Sequence, residues 1–283
     1  MLTSADAFLT RAPRDVAGWS ARFDPMALPV LSATAETIEA LRPREDDLDA
    51  HTVAEALGDD PLFTLKLLSH LARLRRGREG GDTETVTEAL VMLGIPPFFH
   101  AFGPQPTVEE RLAAVPGALD GFQRVLTRSR RAARFAIGFA VHRMDHDAAV
   151  IHQAALLHDF AELLLWMEAP SLALEIAARQ QADPHLRSAV VQREVLHVEL
   201  AELQHELMKR WRLPALLVQI SDDLARQETV QTRNVRLAIR VARHSARGWE
   251  DAALPDDVAD IGALLQLTPP HVLKLLHQID DDG

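Results

Sequence analysis

His158 and Asp159 stand side by side inside the apolar run AALLHDFAELLLW, residues 154 to 166. Burying two adjacent ionisable groups without partners is costly, so they either bind something or are satisfied within a core. Neutral imidazole and carboxylate suit a transition metal, and an adjacent pair can serve two metals with the aspartate bridging them. A hydrogen-bonded polar cluster is the other reading, with Asp159 accepting from a neighbouring helix and His158 paired to Glu162 one turn on. This segment alone leaves both open. A metal needs at least three protein ligands, so other helices must decide.

Such a pair has to be held on a helix. At roughly 100° per residue, His152, His158, Asp159 and Glu162 fall within one arc of roughly 120°. Ala148 and Ala155 share that arc and leave room over it, while Leu156, Leu157, Phe160, Leu163 and Leu164 lie opposite. A narrow polar stripe on a buried helix is the geometry of a site inside a helical bundle. The rest of the chain reads the same way, with apolar periods of three and four and no alternating strand. Asp60–Pro61 pairs an N-cap with proline at the first helical position, ahead of Leu62, Leu65, Leu68 and Ala72 on one face. Gly94 is placed to close a helix from about Thr85 to Leu93. The predicted fold class is all-α, with a small N-terminal helical lobe followed by a helical bundle.

A break at GPQPTVEE and VPGA, near residues 103 to 119, separates the lobes. The expected organisation is an N-terminal helical extension over 1–26, carrying one amphipathic helix, and a main domain over 27–250. Within the latter, 27–105 forms the small lobe and 120–250 the bundle, and two C-terminal helices over 251–283 pack on it.

Composition removes several function classes. The 283 residues include no cysteine, which excludes disulfides, thiolate metal sites and cysteine nucleophiles. A net charge of −11 argues against nonspecific nucleic-acid binding and docking on an anionic membrane. The opening residues show no secretory h-region, and no apolar stretch approaches the roughly 20 residues of a membrane span. The expectation is a soluble, cytoplasmic protein. No Walker loop, nucleophile elbow or dinucleotide fingerprint occurs, so no cofactor is expected.

LLHDF resembles the LLHDIG core of the HD superfamily of metal-dependent phosphohydrolases. The chain from about Ala27 to Arg247 resembles the HDOD, or HD-related output, domain of bacterial signalling proteins. The resemblance rests on ALPVLSATAETIEAL, DDPLFTLKLLSHLAR, TVTEALVMLG, the HD helix and REVL followed by LMKRWRLPALLVQI, in that order. Trp211, Arg212, Leu213 and Pro214 match the family's W-x-L-P.

Carried over residue by residue, the resemblance implies an incomplete metal site. The HD pair survives as His158 and Asp159, followed by Ala161 and Glu162 where glycine and lysine are frequent. The early-helix histidine corresponds to Arg128, before Ser129. The histidine usual before W-x-L-P falls at Leu200, and those after it fall near Asp222 and Asp223. The late aspartate should lie in NVRLAIRVARHSARG, yet residues 231 to 249 contain no Asp or Glu. The site residues are therefore His158, Asp159, Glu162 and Arg128 as a remnant, with neither a catalytic residue nor a metal. Arg128, or another of Arg130, Arg131 and Arg134, is expected to pair with Asp159 or Glu162 and replace the metal by a charge-assisted bond.

Other polar clusters read as scaffold. His142 and His146 have i, i+4 spacing but fall where one helix ends. His197 and His205 read as polar-face residues of one helix, roughly 80° apart. Arg73, Arg75, Arg76 and Arg78 read as a cationic helix end, without the aromatics a nucleic-acid surface would add. The expected function is a non-catalytic signal-transduction module working through protein partners, with a homodimer compatible with its apolar surface. The alternatives are a divergent phosphohydrolase acting on nucleotides or cyclic dinucleotides, and a small-molecule sensor using the vacated HD pocket.

Overall fold

The computed structural model describes residues 8–75, 83–183, 185–221 and 228–281, and helix is the only extended regular element among them. In chain order, α1 is Val16–Ser20, α2 Ser32–Leu41, α3 Ala50–Leu57, α4 Pro61–Leu74, α5 Val86–Leu93, α6 Ile95–Ala101 and α7 Val108–Leu112. The long α8 is Ala118–Arg143, followed by α9 Ala148–Leu157, α10 Phe160–Glu168, α11 Pro170–Ala182, α12 Ser188–Leu196 and α13 Leu200–Arg210. The chain closes with α14 Ala215–Ile220, α15 Val230–His244, α16 Leu254–Leu265 and α17 Pro269–Asp281. The amphipathic helix expected near the N-terminus is the five-residue α1, started by Asp15 accepting from Gly18 N.

Local chemistry explains these boundaries. Asp60 accepts from Leu62 N at 2.8 Å and Phe63 N at 3.1 Å, satisfying the donors that open α4. Its second oxygen accepts from Leu31 N at 2.8 Å, so one buried carboxylate also fixes the entry to α2. Thr85 and Glu88 form a capping box on α5, and Gly94 ends that helix at φ +83°, a conformation that favours glycine.

Contacts divide the chain into two units, one drawn from Met1–Val125 and Phe160–Leu213, the other from Leu126–Asp159 and Pro214–Gly283. The divisions fall within α8, between Asp159 and Phe160, and between Leu213 and Pro214. In the first unit α4 packs on α5 and α5 on α3, over a ring cluster in which Phe63 lies 6.0 Å from Phe98 and 5.8 Å from Phe102. Further along, α10 packs on α7, α11 and α13. Buried Glu168, at the end of α10, takes ion pairs from Arg22 and Arg111. In the second unit α9 packs against α14 and α15, α15 against α16, and α16 against α17.

One stretch, Ala148–Glu168, does meet the length and apolarity of a membrane-crossing helix, contrary to the sequence expectation. Its apolar window is 72% buried inside the protein, and a core helix passes the same test.

Candidate functional site

The predicted continuous helix tightens at the pair of interest. His158 keeps helical angles, φ −59° and ψ −37°, but its N–H bonds three residues back, to Ala155 O at 3.3 Å. His158 and Asp159 therefore form the short turn between α9 and α10, an interruption of the kind that marks many functional positions. Asp159 is buried, its side chain 9% exposed.

Three side chains converge on that carboxylate within the second unit. Arg128, from α8, donates through Nε to Asp159 Oδ2 at 2.8 Å. Arg243, near the end of α15, donates through Nη2 to Oδ1 at 2.8 Å. His158 Nδ1 lies 3.0 Å from the same Oδ1. Burial alone would push the Asp159 carboxyl up. The charges of Arg128 and Arg243, with the hydrogen bond to His158, reverse that and hold it well below the usual carboxylate range. The two arginines are unequal: Arg128 is 22% exposed and Arg243 48%, so Arg128 acts in the less screened position.

Glu162, by contrast, lies on α10 and belongs to the first unit. Arg131 does not join the cluster. It grips Asp280 of α17 through Nε and Nη2, at 2.5 Å and 2.6 Å, and its guanidinium lies 5.4 Å from the Phe135 and Trp249 ring centroids. Arg243 is the participant that sequence reading missed. It lies in the segment searched for a late aspartate, and the four arginines among residues 231 to 244 (Arg233, Arg236, Arg240 and Arg243) were the available signal.

A metal does not fit this donor set. Both oxygens of Asp159 already hold guanidinium groups, and a divalent ion there would meet two fixed positive charges. Among the described residues no three of His, Asp and Glu are grouped so as to hold a metal ion. Leu200, at the position of a family histidine, is buried at the start of α13. Asp222 and Asp223 lie outside the described residues, as do Arg76 and Arg78.

The remaining polar residues resolve individually. α8 ends at Arg143, so His142 and His146 do not share a helix. His197 and His205 do not share one either: His197 closes α12 in a left-handed conformation, φ 64°, and His205 is within α13. Arg73 pairs with Asp24 at 2.7 Å, and Arg75 caps α4 and donates to Thr83 Oγ1 at 3.2 Å.

Residues 28–223 match the HDOD domain family, and the chain belongs to that family. Its fold is similar to the MmoQ response regulator of Methylococcus capsulatus, at 19% identity and a TM-score of 0.66, covering 89% of this chain and 98% of that one. It is likewise similar to a virulence factor of Campylobacter jejuni, at 17% identity and a TM-score of 0.62, covering 93% and 97%. No curated protein matches. At these identities the solved structures establish the all-α HDOD fold.

Proposed function

We propose that this chain is a non-catalytic regulatory module that acts by contact with a partner protein. The observation that carries the reading is the occupation of Asp159: each carboxylate oxygen accepts a guanidinium, from Arg128 and from Arg243. In HD enzymes the aspartate of this pair is a metal ligand, and here it is a strut, held by two arginines, joining α8, the α9–α10 turn and α15. The similarity of fold to a protein described as a response regulator supports a signalling role.

The reading is tested by hydrolysis assays on bis(p-nitrophenyl) phosphate and cyclic dinucleotides, with Mn²⁺ or Fe²⁺ supplied. The expected result is no turnover above a buffer control, and the same background for Asp159→Ala. Metal-dependent turnover that Asp159→Ala abolishes would overturn it.

A further inference from the structure

The first unit carries a cavity of about 290 Å³ whose lining includes Arg22, Asp24, Arg73, Arg210, Trp211 and Arg212. This is close to the lower end of small-molecule pockets. Four guanidinium groups against one carboxylate is a local excess of positive charge in a chain of net charge −11. The nearby acids are already engaged: Asp24 pairs with Arg73 at 2.7 Å, and Glu168 takes both Arg22 and Arg111. Arg210 and Arg212 form no ion pair among the described residues. Like charges gathered around one concavity raise the local concentration of anions.

One further feature points to a ligand. Arg212 holds a left-handed backbone, φ 57°, just past the end of α13. Its N–H bonds Lys209 O at 3.0 Å, and Leu213 N bonds Met208 O at 2.9 Å, the helix-ending arrangement in which glycine is favoured. The chain thus keeps a long cationic side chain where glycine would sit with less strain.

We infer that this cavity binds a small phosphate-bearing molecule through Arg210 and Arg212, with Arg73 and Arg22 completing the donor set. Guanidinium forks match phosphate oxygens, and the volume admits a phosphate with a compact organic body.

Titration calorimetry on the full chain tests this with pyrophosphate, AMP, ribose 5-phosphate and unphosphorylated adenosine. The phosphorylated compounds should bind saturably and more weakly as salt is raised, while adenosine should not bind. Tighter binding of AMP than of ribose 5-phosphate would assign a nucleotide; equal binding would assign the phosphosugar class. Arg212→Gly should weaken binding about tenfold while leaving the thermal midpoint unchanged or raised, which separates ligand loss from misfolding. Arg210→Ala should weaken it similarly. Absence of saturable binding, equal binding of adenosine, or unchanged affinity in the Arg210→Ala/Arg212→Gly double variant overturns the inference.

Discussion

Arg128 Nε lies 2.8 Å from Asp159 Oδ2, joining residues 31 apart in sequence at the position where HD enzymes bind metal. With Asp159 buried and Arg128 only 22% exposed, the pair is screened far less than a surface ion pair. Arg128→Ala leaves Asp159 with the more exposed Arg243 and with His158. The expected loss is about 2 kcal/mol, below the full cost of orphaning a buried charge because two partners remain. Urea unfolding measures it, and a change within about 0.5 kcal/mol contradicts the structural role assigned to the pair.

Gly121 is a second point of sensitivity. A Cβ at this position would lie 2.2 Å from the Trp166 ring, whose rigid indole cannot fold aside as an aliphatic tip could. Gly121→Ala should cost about 2 kcal/mol by overpacking, despite the better helix propensity of alanine. Chemical denaturation of the variant, with tryptophan fluorescence as probe, checks this; a stabilised variant contradicts it.

Lys66 supplies a pH dependence. It is 2% exposed, and its Nζ donates to Gln105 Oε1 at 2.5 Å. Burial pushes the ammonium down to about 8, against the opposing charges of Asp60 and Asp24. The unfolded lysine, near 10.4, holds its proton more tightly. The protonated side chain therefore costs stability below the folded value, and the cost is relieved as pH rises from about 8 towards about 10. Lys66→Met should gain about 1 to 2 kcal/mol at pH 7 after loss of the Gln105 bond, with the gain shrinking through that window. Unfolding of both proteins at pH 7 and pH 9.5 measures the difference; a gain that is constant or grows with pH contradicts it.

Much of the helical architecture was legible because its signals are local. Asp60–Pro61, the Thr85–Glu88 box and Gly94 each act within a turn of the backbone they terminate. The family was legible from LLHDF and the Trp211–Pro214 run taken in order. The contacts of the site were less so. Arg243 meets Asp159 across 84 residues, and no periodicity links them. Nor could a helical wheel show that the helix tightens at His158, since its dihedrals stay helical while the hydrogen bonding shifts to Ala155. The same wheel placed His197 with His205, missing the left-handed residue that separates α12 from α13.

The central claim is that Asp159 holds arginines instead of metal. Its most direct test is the metal content of the 283-residue chain purified without chelators and then incubated with Mn²⁺, Fe²⁺ or Zn²⁺, measured by inductively coupled plasma mass spectrometry after desalting. The account predicts no stoichiometric metal in the wild-type protein and no difference between it and Asp159→Ala. One or two ions per chain, lost in Asp159→Ala while the fold is retained by circular dichroism, would contradict it.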